Sequence, residues 1–159
     1  MLTSTPENIP SALPFSYLII TSEWHKEITS VLQNAAFDTL VNNGALPEKI
    51  HQITVPGSFE LTAAAALHAD LHLYDAIICL GCVVQGETRH FEFICNAVAS
   101  GLTNISIKQK IPVIFGVLTT DTLQQAHERA GGSHGNKGIE AAIAAIKMAE
   151  VKRSAGSLQ

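Results

Sequence analysis

Three stretches of this chain are apolar almost without a break: FSYLIIT (15–21), DAIICLGCVV (75–84) and IPVIFGVL (111–118). Runs so short cannot span a membrane, and runs without polar alternation do not make strands with one wet face. They fit strands of a parallel sheet covered on both sides. A fourth segment, KIHQITV (49–55), has strand character with more polar residues. The intervening segments repeat at helical spacing. Residues 25–43 line up Ile28, Val31, Leu32, Ala35, Ala36 and Leu40, with Gly44 as a C-terminal stop. Residues 57–70 are alanine-rich, and residues 88–103 place Phe91, Ile94, Cys95, Val98 and Leu102 on one stripe. TTDTLQQAHERAG and NKGIEAAIAAIKMAEVKR add two further helices, divided by a GGSHG loop. Strands alternating with helices predict an α/β domain of three layers: a parallel four-stranded central sheet with helices on both faces.

With 159 residues, 47% of them hydrophobic, the chain has material for one domain and its core. We place that domain at residues 15–153, after a proline-containing arm (1–14) and before a flexible tail (154–159). A net charge of −4 argues against a nucleic-acid partner. No secretory signal and no apolar run of membrane length are present, so no membrane partner and a cytoplasmic location are expected. Cys79 and Cys82 form a C-x-x-C pair, but residues three apart in a strand point to opposite faces, so they are read as core rather than as metal ligands.

In such sheets ligands bind beyond the carboxyl ends of the strands. The segments leaving those ends are SEWH (22–25), PGSFE (56–60), QGETRH (85–90) and TTDT (119–122). Gly86, Glu87 and Thr88 sit where a strand gives way to a helix, so their backbone N–H groups suit an anion, with Thr88 as N-cap; a plain structural turn would read the same way. Arg129 either faces a helix C-terminus or clamps a phosphate. His90, near a helix start, is placed to exchange protons, whereas His51, His68, His72 and His127 read as ordinary surface or core residues. Trp24 is a core anchor or a stacking platform for a flat heterocycle, and Phe59 and Glu60 offer a wall and a carboxylate beside a turn that can grip a polyol. The residues alone thus point to a site for a heterocycle and a phosphate, with one histidine and no metal cluster.

The same segments, in the same order, resemble the 6,7-dimethyl-8-ribityllumazine synthase family from about Phe15 to Val151, most specifically at VPGSFEL (55–61), GCVVQGETRHFEFI (81–94), FGVLTTDTLQQAHERAG (115–131) and GNKGIEAA (135–142). The resemblance implies a flavodoxin-like fold and a transferase of riboflavin biosynthesis. It would condense 5-amino-6-(D-ribitylamino)uracil with 3,4-dihydroxy-2-butanone 4-phosphate, without cofactor or metal. It further implies His90 as proton shuttle, Gly86, Glu87, Thr88, Arg129 and Lys137 around the phosphate, and Trp24 stacked on the pyrimidine. Ser58, Phe59 and Glu60 would hold the ribityl chain, with Val83 and Val84 along the pyrimidine edge and Phe115 closing the pocket. The family's pattern also implies pentamers with sites between neighbouring subunits, so that Phe115 and Arg129 would reach a site built mainly by the adjacent chain; the pentamers would stand alone, pair as decamers or assemble into a shell of sixty, with riboflavin synthase as a partner. A lumazine- or riboflavin-binding carrier, or a shell protein with little catalysis, is the alternative. Two positions depart from the pattern: His25 stands where asparagine often follows the stacking aromatic, and Gln85 where arginine often precedes the glycine.

Overall fold

The computed structural model describes residues 8–157. Its centre is a four-stranded, wholly parallel sheet in the order β2-β1-β3-β4, formed by β1 (Tyr17–Ser22), β2 (Ile50–Val55), β3 (Ala76–Val84) and β4 (Val113–Thr120). β1 and β3 are the inner strands and are buried along almost their whole length, which accounts for two of the unbroken apolar runs. β2, on one edge, buries its ends and leaves polar residues between them, matching its mixed composition.

Alternate residues of the inner strands feed two separate cores. Tyr17, Ile19, Ile78, Leu80 and Cys82 face α1 (Lys26–Asn42) and α5 (Lys137–Gly156), while Leu18, Ile20, Ile77 and Cys79 face α2 (Glu60–Ala69) and α3 (His90–Gln109). The expected separation of Cys79 and Cys82 onto opposite faces is therefore what the sheet shows, and both thiols are buried. In α1 the buried stripe is Ile28, Thr29, Leu32, Ala36 and Leu40; Val31, expected inward, is exposed. The helix ends as Gly44 predicts. Gly44, at φ 102°, donates to Val41 O and Ala45 donates to Leu40 O, the paired bonds of a Schellman stop. The α3 stripe is narrower than expected, with Val98 and Leu102 buried and Phe91, Ile94 and Cys95 only partly so.

Three boundaries differ from the sequence reading. Ala12 is fully buried in the α1/α5 core and its N–H donates to Asn43 O, so packing begins before residue 15; residues 1–7 of the arm lie outside the described residues. Helix α5 runs to Gly156, through the first part of the expected tail, whose residues 158–159 also lie outside. The GGSHG loop is a small antiparallel hairpin, β5 (Ala130–Gly132) with β6 (Gly135–Asn136), which follows α4 (Leu123–Glu128). The Glu128 carboxylate accepts from the Ser133 N–H at 2.8 Å and from its hydroxyl, which draws the chain into the turn. Two residues of pairing carry no periodic signal a sequence could reveal. Among the described residues no helix is long and apolar enough to cross a membrane.

Candidate functional site

The strand order reverses between β1 and β3, and at such a switch point the loops leave in opposite directions and open a crevice. A cavity of about 530 Å³ lies there. That volume suits a small organic ligand. Its wall collects Trp24 and His25 from the end of β1, Ser58, Phe59 and Glu60 from the β2–α2 turn, Val83 and Val84 from β3, and His90 from α3. Residues separated by more than 60 positions in sequence thus converge because parallel strands deliver all their carboxyl ends to one edge.

Trp24 is 70% exposed and Phe59 55%, so neither is the core anchor that an aromatic usually is; two large apolar rings stand open to the cavity. Gly57 explains how the tryptophan reaches its place. A Cβ at position 57 would lie 3.3 Å from Trp24 Cδ1 and 3.0 Å from Glu60 Oε2, so the missing side chain is the seat on which indole and carboxylate meet. The Ser58 hydroxyl, by contrast, is buried and has no hydrogen-bond partner among the described residues. It packs close against Gly81, where a Cβ would lie 2.5 Å from Ser58 Oγ, while the residue itself lines the cavity.

His25 was conspicuous in the sequence only as a departure, and the backbone supplies its reason. It stands at φ 54°, ψ 52°, in the left-handed region, as the residue before α1. Asparagine and histidine, with aspartate, are the non-glycine types enriched in this conformation, so either letter fits the position. Its carbonyl accepts the N–H groups of Ile28 and Thr29, and its Nδ1 lies 3.8 Å from Glu27 Oε1. Gln85, the other departure, donates its side-chain amide to Gly86 O at 2.8 Å and its backbone N–H to Thr120 O. It ties the loop to itself and to β4.

His90 is the first residue of α3, exposed, and it lines the cavity. The expectation that Thr88 caps this helix needs correcting. The N-cap position is Arg89, without a side-chain cap, and Thr88 Oγ1 accepts from the His90 N–H at a long 3.4 Å. Gly86, Glu87 and Thr88 form an exposed loop, and a Cβ on Gly86 would meet nothing within 4 Å. The loop stands exposed at the entrance of α3, a position where backbone N–H groups can meet an anion.

Phe115, Arg129 and Lys137 do not line the cavity. Phe115 is paired with Cys79 in the middle of the edge strand β4, whereas the cavity lies at the level of Val83, paired with Thr119. Four strand residues separate the two levels, roughly 13 Å. Arg129 closes α4 and Lys137 opens α5. The Arg129 guanidinium donates to Glu140 Oε1 at 2.8 Å and Oε2 at 3.0 Å, and to His134 O; Lys137 Nζ lies 3.3 Å from Glu140 Oε2. Arg129 holds the Glu140 carboxyl below the usual carboxylate range by these hydrogen bonds, against an opposing effect of partial burial.

Burial pushes the Cys79 thiol up to about 12 and the Cys82 thiol up to about 11, which makes both poor nucleophiles near neutrality although Cys82 touches the cavity wall. Ile94 and Gly57 also line the cavity. Ile94 belongs by spacing to a packing stripe and Gly57 to a turn, and only the three-dimensional approach of the β2–α2 turn to α3 reveals their other surface.

Comparison with known proteins shows which family the chain is similar to. A family model described as 6,7-dimethyl-8-ribityllumazine synthase matches residues 14–153. A 6,7-dimethyl-8-ribityllumazine synthase of Cytophaga hutchinsonii is 51% identical over 147 residues, covering 92% of each chain. Proteins of the same description from Porphyromonas gingivalis and Christiangramia forsetii are 48% and 47% identical, covering 92% of this chain and 91% and 88% of theirs.

Proposed function

The chain belongs to the 6,7-dimethyl-8-ribityllumazine synthase family, and from that premise we propose how its residues divide the work of the condensation. The protein is a transferase of riboflavin biosynthesis that joins 5-amino-6-(D-ribitylamino)uracil to 3,4-dihydroxy-2-butanone 4-phosphate, giving the lumazine, inorganic phosphate and water. The observation that carries the assignment of roles is the cavity at the β1/β3 switch point, where an exposed tryptophan seated over Gly57 shares one cavity with His90.

Trp24 stacks on the pyrimidine, Val83 and Val84 run along its edge, and the Ser58–Glu60 turn holds the ribityl chain through its backbone and Glu60. The ring amine attacks the ketone and water leaves to give an imine. His90 then takes a proton from carbon as the phosphate departs, and cyclisation with further loss of water closes the second ring. General acid–base help of this kind contributes on the order of 100- to 10,000-fold, and holding two substrates together contributes more. Gly86–Thr88, Arg129 and Lys137 receive the phosphate.

Phe115, about 13 Å along the sheet from its own cavity, serves the cavity of a neighbouring copy, and Arg129 does the same. This supports a pentamer whose sites lie between subunits, able to pair or to build a larger shell. Exposed Phe93 and Ile107 on α3 are apolar area that such assembly would cover. We place the enzyme in the cytoplasm, with riboflavin synthase as its partner in the pathway.

Absorbance of the lumazine product tests this reading. His90→Ala is expected to lower kcat at least 100-fold with the fold intact, and Arg129→Ala to raise KM for the phosphorylated substrate. At low concentrations of the phosphorylated substrate, oligomers co-assembled from the two variants should turn over faster than oligomers of either variant alone, because some interfaces then carry an intact His90 beside an intact Arg129. Wild-type turnover in both variants would refute the roles, and no recovery on co-assembly would refute the shared site.

A further inference from the structure

The family resemblance gives Glu140 no role, yet its carboxylate meets a guanidinium through both oxygens. A guanidinium carries five N–H donors in a rigid plane. Glu140 takes one each from Nη1 and Nη2 of Arg129, at 2.8 and 3.0 Å, and the carbonyl of His134 takes the second from Nη1. Two donors remain without a partner among the described residues: Nε–H and the second N–H of Nη2. They lie side by side on one edge of the plane and form a second fork.

The platform beneath this pair is stiff. Lys137 N–H donates to Arg129 O at 2.9 Å, joining the end of α4 to the start of α5. Asn136 Oδ1 caps α5 by accepting from Gly138 N–H at 2.8 Å. Gly138 packs so closely on α1 that a Cβ there would stand 2.1 Å from Leu32 O. Glu140, in the first turn of α5, therefore has little freedom, and Lys137 at 3.3 Å holds its second oxygen. Arg129, Lys137 and Glu140 together carry one net positive charge, so the cluster still attracts an anion after the internal pair has formed.

We propose that Glu140 is a positioning residue for phosphate recognition: by occupying the end-on fork of Arg129 it presents the side-on fork, Nε–H with Nη2–H, to the phosphate of the substrate. This rests on the reading of Arg129 as the phosphate clamp. A carboxylate placed there only to hold the domain together would stabilise the fold without choosing which edge of the guanidinium is free. A carboxylate that merely competed with phosphate would weaken its binding.

The test uses the full-length assembled enzyme, both substrates, and inorganic phosphate as an inhibitor. Glu140→Ala is expected to raise KM for the phosphorylated substrate and the inhibition constant of inorganic phosphate together, on the order of tenfold, the scale of one charge-assisted contact. KM for the pyrimidine and kcat should stay within about twofold. Glu140→Gln, which keeps one acceptor, should fall between, and Glu140→Ala should add nothing in an Arg129→Ala background. An unchanged or lowered phosphate inhibition constant in Glu140→Ala overturns the proposal, as does an equal rise in KM for both substrates. If Arg129→Ala itself leaves phosphate inhibition untouched, the clamp assignment fails and takes this inference with it; a normal loss in Arg129→Ala with none in Glu140→Ala sinks this inference alone.

Discussion

Replacing Gly138 by alanine puts the packing of α5 on α1 to a quantitative test. In most helices the exchange is favourable, by up to about 1 kcal/mol, because alanine is the better helix former. Here the new methyl would stand 2.1 Å from Leu32 O and 2.9 Å from Leu32 C, atoms of a helix backbone that cannot swing aside. An ordinary contact lies near 3.4 Å, so the two helices must part by roughly 1 Å. Overpacking costs about 1–3 kcal/mol, and the upper end applies because the whole interface has to move. Subtracting the intrinsic preference leaves a net loss of about 2 kcal/mol, which for a chain of this size lowers Tm by about 4–8 °C. Gly156→Ala is the control, since it lies on the same helix with nothing within 4 Å, and it should be neutral or slightly stabilising. Thermal and urea unfolding at one fixed protein concentration would measure both. A Gly138→Ala variant as stable as wild type would show that the interface yields far more readily than its geometry implies. Because Lys137 and Glu140 flank the substitution, KM for the phosphorylated substrate should rise in the same variant.

Two further outcomes follow from local geometry. At position 25 the left-handed backbone ranks substitutions: His25→Asn and His25→Gly should retain stability, and His25→Ala should be about 1 kcal/mol less stable than His25→Gly. Equal urea midpoints for alanine and glycine would remove the strain argument. Arg129 depresses the folded-state titration of Glu140, so the resulting stabilisation is present above the unfolded carboxyl value of about 4.3 and disappears as pH falls through the lower, folded value. The stability gap between wild type and Glu140→Gln, clear at pH 7, should therefore narrow below about pH 4, and a gap independent of pH would contradict that linkage.

How much of this was legible beforehand depends on the range of the interaction. The four strands, the five helices and the parallel order follow from apolar runs alternating with helical stripes, signals that repeat over many residues. Cys79 and Cys82 were separated by the two-residue period of a strand alone. The 130–136 hairpin was not visible, because it depends on Glu128 reaching Ser133 and on two glycines at positive φ rather than on any pattern. Strand-end logic located Trp24, Phe59, Glu60 and His90 at one edge of the sheet. It could not show that Thr88 misses the cap position, or that His25 owes its identity to a backbone angle. The Arg129–Glu140 pair joins residues 11 positions apart across a hairpin, beyond the reach of helical or strand spacing.

The division of the sheet into two cores has a consequence for how the molecule would come apart. Cys79 belongs to the layer under α2 and α3 and is shielded from reagents while that layer stays shut, whereas Cys82, in the layer under α1 and α5, also meets the cavity wall. Two thiols three residues apart on one strand therefore report different openings: Cys79 the lifting of α2 and α3, Cys82 access from the cavity as well as from the α1/α5 layer. An alkylating reagent that reached Cys79 before Cys82 would record the α2/α3 layer lifting first, without any label being introduced into the protein.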